Sequence, residues 1–379
     1  MEDLGIRVDM LRNSNDVVTA DLQYICKNLE DELSQMAGKN LLIVGGGGFL
    51  GYYLVQTILF WNKSYVDKRI RIYIIDNFIR GRPQWLVDLE EIEYIFILER
   101  DITLPLNFQK DDYQYIIHAA SIASPNFYRK FPIETMDANV NGLRNLLDYS
   151  REKLMGKSPI MGFLYFSTSE IYGDPPADQI PTHEDYRGNV SCTGPRACYD
   201  ESKRFGETLC VNFAQQYGLP IKIARPFNNY GPGLKITDRR VISDFARDIF
   251  EDRNIVLLSD GSPTRTFCYV ADAVVGYYKI LISGETGSSY NIGTEVPEIS
   301  MLELAERMVH ISKRLFNYAG SIERKKSEDK NYLVDNPIRR CPSIAKAASH
   351  LGYQPKISLE EGLERALLWY SENVNGVEA

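Results

Sequence analysis

The sequence predicts an α/β fold, in which a Rossmann-like doubly wound parallel sheet carries a smaller, mixed and mostly helical lobe. Two observations lead to this prediction. From residue 40 onward, short apolar runs alternate with longer helical stretches, and a glycine-rich turn directly follows the first run. Uninterrupted apolar runs are typical of parallel strands that helices cover on both faces. A strand, a glycine-rich turn and a helix in that order are typical of a dinucleotide-binding unit.

Residues 1–38 precede the first apolar run and predict an N-terminal helical extension. Apolar side chains recur there at steps of three and four, at Val18, Leu22, Ile25, Leu29, Leu33 and Met36. This spacing places them on one helical face, and Gly38 is a suitable stop. We expect the face to pack on the body of the protein, with dimerisation as the alternative role.

Five apolar runs predict the strands of a Rossmann domain over residues 39–230. They are residues 40–45, 70–76, 113–120, 162–169 and 220–228. Stretches such as 133–155 predict the helices between them. His118 ends one of these runs and is expected to be a packed histidine at a strand end.

Residues 231–379 have a mixed texture and predict a substrate-binding lobe, part of which we expect to return to the Rossmann sheet. Two capping boxes predict helix starts there, Ser300 with Glu303 and Ser358 with Glu361.

Composition excludes several functions. Of 379 residues, 44% are hydrophobic and 25% are charged, and the net charge is −8. An acidic chain without a lysine- and arginine-rich run argues against nucleic acid as a partner. No apolar stretch reaches about 18 residues, which argues against a membrane span, and the acidic N-terminus lacks the apolar core of a signal peptide. We therefore expect a cytoplasmic protein that does not bind membranes.

Cysteine and histidine spacing gives no sign of a metal site. The six cysteines are scattered without a CxxC pair, and the four histidines show no ligand spacing. A disulfide framework is equally unsupported in a chain of this length. We expect no metal cofactor.

The glycine-rich turn predicts NAD as the cofactor. Gly45, Gly48 and Gly51 have the spacing that permits a tight turn, close approach of a pyrophosphate and helix–strand packing. Asp76 ends the next strand, where its carboxylate can accept both ribose hydroxyls and repel a 2′-phosphate. Arg80 and Arg82 follow closely and could instead welcome such a phosphate. NAD remains favoured over NADP.

Tyr199 and Lys203 form a candidate catalytic pair within the segment GPRACYDESKR. Residues four apart share one helical face, which places the ammonium close to the phenol. A nearby cation lowers the pKa of a phenol, so Tyr199 could take a proton from a sugar hydroxyl while hydride leaves for NAD⁺. Lys203 could also hold the nicotinamide ribose.

Several motifs give the chain a family resemblance. They are GGGGFLG (45–51), DNF (76–78), HAASIAS (118–124), STSEIYGDP (167–175), GPRACYDESKR (194–204), RPFNNYGP (225–232), TRTFCYV (264–270) and RRCPSI (339–344). Over about residues 40–372, the chain resembles extended short-chain dehydrogenases/reductases of the nucleotide-sugar branch. Its likeness to UDP-glucuronate decarboxylases (UDP-xylose synthases) is the strongest.

The resemblance implies roles for further residues. Thr168 would bind the sugar 4-hydroxyl, and Glu170 would act at C5 as a general base or by positioning water. Arg340 would face the substrate carboxylate. Ser169 stands where dTDP-glucose dehydratases carry an acidic proton donor. Substrate contacts are implied for Tyr128, Asn228, Arg240, Arg265 and Arg340. Cofactor contacts are implied for Gly45, Gly48, Phe49, Leu50, Gly51, Asp76, Asn77, Asp101, Ile102, Ala119, Ala120, Ser121, Asn139, Tyr199 and Lys203.

The resemblance predicts NAD-dependent decarboxylation of a nucleotide-linked hexuronic acid through a 4-keto intermediate, in a homodimer. A C4-epimerase or 4,6-dehydratase on the same scaffold is the alternative, and an inactive NAD-binding sensor or scaffold is the alternative from another class. Four features depart from the family pattern, one of which is GPGL (231–234) in place of the usual GPRM. Phe127, Leu258 and Val44 stand where the family usually carries asparagine, tyrosine and threonine, respectively.

Overall fold

The computed structural model describes residues 11–105, 112–154, 156, 158–329 and 334–374. The strands are β1 Asn40–Val44, β2 Arg71–Asp76, β3 Ile95–Glu99, β4 Tyr115–His118, β5 Gly162–Phe166, β6 Ile221–Pro226, β7 Asn229–Tyr230, β8 Ile255–Leu257, β9 Thr264–Arg265, β10 Cys268–Tyr269, β11 Ser289–Ile292, β12 Ile299–Ser300, β13 Ile322–Arg324 and β14 Arg339–Arg340. The helices are α1 Ser14–Asn28, α2 Glu30–Met36, α3 Phe49–Ser64, α4 Gln84–Val87, α5 Pro125–Lys130, α6 Pro132–Asp137, α7 Leu143–Lys153, α8 Ala197–Tyr217, α9 Val241–Phe250, α10 Val270–Ser283, α11 Met301–Phe316, α12 Ala345–Leu351 and α13 Leu359–Asn373.

The main sheet has seven strands in the order β11-β6-β5-β4-β1-β2-β3, and every pair is parallel. The chain leaves β1 toward β3 and then returns to continue from β4 in the opposite direction. This reversal makes a crevice beside the carboxyl ends of β1 and β4, where α/β sheets bind ligands. The predicted doubly wound α/β fold is confirmed. His118, at the end of β4, is buried as expected.

Two strands of the sheet were not among the five predicted. β3 lies at the sheet edge, so Ile95 is buried while Phe96 is partly exposed, and the run looks less uniformly apolar. β11 carries the polar residue Asn291, which is buried and hydrogen-bonded to the carbonyls of Thr182 and Ser343. A search for uninterrupted apolar runs does not find β11, because the strand contains a polar side chain that is buried with its hydrogen bonds formed.

The predicted helical stretch 133–155 is not one regular helix. α6 passes through a π-helical turn at Ala138–Gly142 into α7, which ends at Lys153. Position 155 lies outside the described residues. The π-turn carries Asn139 into the interior, where its amide donates to Ser202 Oγ on α8 at 2.9 Å.

Small sheets after β6 position the second half of the cavity. β14 pairs in parallel with β9, and this register sets Arg340 directly beside Arg265. Residues far apart in the chain therefore present neighbouring guanidinium groups. The box predicted at Ser300 and Glu303 forms in both directions at the start of α11. At the start of α13, Ser358 caps the helix as predicted, but the Glu361 carboxylate pairs with Arg365 instead of closing a second box.

Residues before β1 form two helices that pack on the body rather than the single helix that the periodicity suggested. α1 packs against α3, α10 and α13, and its apolar face is buried. Asp21 on this face is fully buried and accepts hydrogen bonds from Tyr53, Tyr269 and Arg365, so one carboxylate joins α1 to α3, β10 and α13. Residues 1–10 lie outside the described range. None of the helices in the described residues is long and apolar enough to span a bilayer.

Asp21→Ala should lower the free energy of unfolding by about 3–5 kcal/mol, because the buried Arg365 guanidinium keeps only Glu361 as a carboxylate partner and the Tyr53 and Tyr269 hydroxyls lose their acceptor. Urea unfolding followed by circular dichroism measures the change. Asp31→Ala, at an exposed position of α2, is the control and should change stability by less than about 0.5 kcal/mol. Equal stability of the two variants would show that α1 does not depend on this contact.

Candidate active site

A cavity of about 1080 Å³ opens where the carboxyl edge of the main sheet meets the second lobe. The turn after β1, the ends of β2, β4 and β5, the start of α8 and the pair β9–β14 all contribute to its wall. With one exception, every residue that the sequence predicted for the site lines this cavity. The exception is Asn139, which faces α8 and contacts Ser202.

The glycine turn has no space for side chains on two of its positions. Gly45 has φ +83°, and a Cβ there would lie 2.4 Å from the Ala120 nitrogen. A Cβ on Gly51 would lie 2.2 Å from the Gly46 oxygen, since this residue packs α3 against the turn. α3 begins immediately after Gly48, so its first amide groups border the cavity. This arrangement suits a pyrophosphate at a helix N-terminus.

Asp76 is fixed by the backbone on both sides. Its carboxylate accepts hydrogen bonds from the amides of Gly47 and Phe78, each at 2.9 Å. Burial raises the pKa of Asp76, and these backbone hydrogen bonds oppose that rise. The carboxylate is therefore held at the cavity wall in the position expected for a ribose partner.

Arg80 and Arg82, the two arginines that could bind a 2′-phosphate, each form an ion pair with a carboxylate of the protein. Arg80 pairs with Asp238 at 2.8 Å and stacks over the Phe127 ring at 4.2 Å. Arg82 pairs with Glu90. Both guanidinium groups already have carboxylate partners, so the geometry favours NAD over NADP at Asp76.

Unpartnered polar atoms also indicate a ligand in the cavity. Ser121 Oγ, Tyr128 Oη and Ser167 Oγ are buried and have no hydrogen-bond partner among the described residues. All three residues belong to the cavity wall. Buried hydroxyl groups are normally satisfied, so these atoms fit a polar ligand such as a dinucleotide with a sugar beside it.

Tyr199 and Lys203 share one face of α8, but the ammonium is not directed at the phenol. Lys203 Nζ donates to the Phe166 carbonyl at 2.7 Å and lies 5.9 Å from the centroid of the Tyr199 ring. Burial lowers the pKa of Lys203 to about 7. Burial also raises the pKa of Tyr199 to about 12, against a hydrogen bond with Thr168. The prediction that Lys203 lowers the pKa of Tyr199 is wrong for this state, because desolvation outweighs the distant ammonium.

Glu170 lies between two guanidinium groups. Arg340 binds both of its carboxylate oxygens, with Nη2 at 2.5 Å from Oε2, and Arg196 also binds Oε2. Burial acts to raise the pKa of Glu170, but the charges of Arg196 and Arg340 prevail and hold it at about 2. Arg340 thus faces the protein's own carboxylate in this state, rather than standing free for a substrate.

Sequence reasoning missed Arg196 and Asp200. Asp200 Oδ2 lies 3.6 Å from Arg196 Nε, and burial, followed by the charge of Glu170, raises the pKa of Asp200 to about 7. A signal was available, because Arg196 precedes Tyr199 by three residues and Asp200 follows Arg196 by four. Those spacings bring all three to one side of a helix.

The remaining predicted site residues lie in the cavity wall, Arg240 and Arg265 in the second lobe and the others after β5 and β6. Arg265 donates to the carbonyls of Thr264, Pro337 and Ile338, and burial together with Arg340 lowers its pKa to about 9. Arg240 pairs with Asp238 at 3.0 Å and keeps 34% of its side chain exposed. Two polar residues complete the set: Asn228 donates to the Thr266 carbonyl at 2.8 Å, and Ser169 is buried at the start of a short 3₁₀ turn.

The depressed pKa of Lys203 predicts a pH-dependent stability in nucleotide-free protein. Between about pH 7 and 10 the unfolded chain binds the proton that the folded chain has lost, so the folded wild type gains stability as pH rises. Lys203→Met has no such proton. The stability difference should therefore move in favour of wild type by up to about 1.4 kcal/mol per pH unit in urea melts. Lys63→Met, at the exposed end of α3, is the control, and parallel trends for the two variants would contradict the prediction.

Comparison with known proteins places this geometry in a family. Residues 41–293 match the NAD dependent epimerase/dehydratase family. UDP-glucuronic acid decarboxylase 3 of Arabidopsis thaliana is 38% identical over 323 residues, which cover 85% of this chain and 86% of that protein. UDP-glucuronic acid decarboxylase 1 of Xenopus tropicalis is 33% identical over 342 residues, covering 90% of this chain and 74% of that protein.

A solved structure agrees with this assignment. An epimerase from the methanogen Methanothermobacter thermautotrophicus superposes with a TM-score of 0.77 at 26% identity, covering 93% of this chain and 98% of that chain. The family match spans β1 to the end of β11, which includes the glycine turn, Tyr199 and Lys203. The chain belongs to the NAD dependent epimerase/dehydratase family.

Proposed function

We propose that this protein is an NAD-dependent decarboxylase that converts UDP-glucuronate to UDP-xylose through a 4-keto intermediate. The names of its relatives support the substrate, since proteins named UDP-glucuronic acid decarboxylase match over most of both chains. The observation that carries the proposal is the charge balance around Glu170. One further carboxylate would neutralise that cluster.

Three guanidinium groups lie around Glu170 with two carboxylates at close range, while Asp174 and Glu298 act on one of these arginines, Arg265, from further away. Arg196 and Arg340 contact Glu170, and Arg265 lies beside Arg340 across the β9–β14 pair. Asp200 is the second acid. The excess positive charge lies among buried side chains, where it is weakly screened. A hexuronic acid would supply the missing negative charge, whereas a neutral hexose would not.

The residues nearest the sugar would begin with a proton transfer. NAD⁺ supplies the oxidising power, by accepting hydride from C4 and later returning it. Thr168 would bind the 4-hydroxyl, and Tyr199 would accept its proton. Burial raises the pKa of Tyr199 to about 12, so positive charge brought close to the phenol would favour its role as proton acceptor. Lys203, 5.9 Å from the ring, is the group that we expect to supply part of it.

Decarboxylation follows from the ketone at C4. A β-keto acid loses carbon dioxide readily, because the electrons of the broken bond pass into an enolate on the C4 oxygen. Tyr199 and Thr168 would stabilise this oxyanion by hydrogen bonding. Arg340 would hold the carboxylate until the bond breaks, and Glu170 would direct the protonation at C5.

The alternative on the same scaffold is a C4-epimerase or a 4,6-dehydratase. Ser169 speaks against the dTDP-glucose type of dehydration, because it cannot give a proton to a leaving hydroxyl as an aspartic acid can. An epimerase has less need for an arginine that faces an acid group. The hypothesis of an inactive NAD-binding sensor does not account for the grouping of Thr168, Tyr199 and Lys203 beside the cavity.

The expected cytoplasmic homodimer remains a prediction and belongs to this proposal. So does the division into an N-terminal extension (1–38), an NAD-binding domain (39–230) and a substrate-binding lobe (231–379). The half-exposed Phe205 on α8 is compatible with a second copy packing on that helix, because large apolar side chains are usually covered.

Cofactor choice provides one test. Wild-type protein should bind NAD⁺ at least about tenfold more tightly than NADP⁺ in calorimetry, because the Asp76 carboxylate would repel a 2′-phosphate. Asp76→Asn keeps a side-chain acceptor of similar shape but removes the charge, so the preference should narrow. A preference for NADP⁺ in wild type would overturn this part of the proposal.

Product analysis tests the reaction itself. Purified protein with NAD⁺ and UDP-glucuronate should release carbon dioxide and form UDP-xylose, as measured by NMR. Tyr199→Phe should reduce kcat by about 10²- to 10⁴-fold, because the proton acceptor is lost. Tyr278→Phe is the matched control, since this buried hydroxyl donates to the Leu54 carbonyl outside the cavity. A C4 epimer or a 6-deoxy-4-keto sugar as product would favour the alternative.

A further inference from the structure

Glu170 has two arginine partners, and they are held very differently. Within the described part of the chain, every hydrogen bond of the Arg340 guanidinium goes to Glu170. Arg196 has contacts on three sides. Its guanidinium binds Glu170, lies 6.0 Å from the centroid of the Tyr128 ring, and approaches Asp200 Oδ2 at 3.6 Å through Nε. The Arg196 guanidinium likewise hydrogen-bonds only to Glu170 among the described residues, but it alone has a second carboxylate within ion-pair distance, Asp200, which would keep it in place if Arg340 turned away.

The proposed reaction requires such a departure. If Arg340 turns to the substrate carboxylate, Glu170 loses the partner that binds both of its oxygens. Its side chain is only 17% exposed, so water could not replace the lost contact fully. A buried carboxylate without a cation would take up a proton or move. Arg196 is the second cation in contact with it and binds Oε2, the oxygen that it shares with Arg340.

We propose that Arg196 is a positioning residue, which holds the Glu170 carboxylate in place while Arg340 is bound to the substrate. This inference rests on the proposed decarboxylation. Arg196 acts through Glu170 and does not itself need to touch the sugar. Asp200 and Tyr128 keep Arg196 from following the substrate carboxylate.

The neighbours of Arg196 restrict the movement of its side chain. Tyr128 stacks on Tyr199 with centroids 5.1 Å apart and planes 7° from parallel, so Arg196 rests on the ring that also orders the phenol. Arg196 is the N-cap residue of α8, one turn before Asp200 on the helix that carries Tyr199. One rigid element thus sets the position of the phenol and of the cation that holds Glu170.

The test is the pH dependence of turnover by Arg196→Gln and Arg196→Lys, with NAD⁺ and UDP-glucuronate. Loss of an adjacent positive charge should raise the pKa of Glu170 from about 2 by about two to three units, so kcat of Arg196→Gln should begin to fall at a higher pH on the acid limb of its profile than kcat of wild type. We expect kcat at neutral pH to fall by about tenfold to a hundredfold, with a smaller change in KM. Arg196→Lys should restore most of the pH shift but less of kcat, since lysine supplies the charge without the fork geometry.

Arg225→Gln is the matched control. Arg225 is also buried and also pairs with a carboxylate on α8, Glu207, but it does not line the cavity. Its loss should lower the melting temperature and leave the acid limb in place. If Arg196→Gln likewise loses only stability, with an unchanged acid limb and an unchanged ratio of kcat to KM, the positioning role is overturned.

A second readout separates this inference from the proposed function. Protein labelled with ¹³C at the glutamate carboxylates can be titrated by NMR, with Glu170→Gln identifying the signal. In wild type the Glu170 signal should stay constant down to about pH 4, and in Arg196→Gln it should titrate above that value. A constant signal in both would overturn the inference. Wild type that forms no UDP-xylose would overturn the proposed function, while the titration still reports whether Arg196 holds Glu170.

Discussion

The contact between Glu170 and its two arginines joins the parts of the molecule that make the cavity. Glu170 follows β5, Arg196 immediately precedes α8, and Arg340 ends β14 in the second lobe. These segments meet because the carboxyl ends of parallel strands lie at one edge and β14 pairs with β9 beside it. The three charges are largely buried, so each requires the others to offset its lost hydration. The Glu170 carboxylate therefore links the part of the cavity wall that follows the main sheet to the part contributed by the second lobe.

A second buried carboxylate is stabilised by polar partners where α1 packs on the body of the protein. Asp21 is buried in the contact of α1 with α3, α10 and α13, where Arg365 and two tyrosine hydroxyls satisfy it. Tyr53 belongs to α3, the helix that begins at the glycine turn. The N-terminal extension is thus bonded to the element that borders the cofactor end of the cavity. This explains why a segment before β1 packs as part of the body rather than as an appendage.

Local sequence patterns predicted most of the fold and, within the site, the glycine turn and the pair of Tyr199 and Lys203. Gly45 and Gly51 could be placed because a turn and a helix start are decided by neighbouring residues, and Tyr199 and Lys203 because helical spacing fixes a shared face. The partnership of Arg340 with Glu170 joins residues 170 positions apart, and no local period encodes it. The protonation behaviour of Tyr199 and Lys203 was likewise beyond the sequence. It depends on burial by distant segments, which decides pKa values more strongly than a neighbour one turn away.

The structure explains how two of the residues that depart from the family pattern, Phe127 and Val44, are accommodated. Phe127 supports the Arg80 guanidinium at 4.2 Å, and Arg80 binds Asp238, which also pairs with Arg240. An asparagine at 127 could not provide that stacking surface, so the replacement belongs to a local network that fixes two cations at the cavity wall. Val44 is buried at the end of β1, where an apolar side chain packs without needing a hydrogen-bond partner. The exchange at position 127 thus alters how the wall around Arg80 and Arg240 is held together, and the exchange at position 44 leaves the end of β1 apolar.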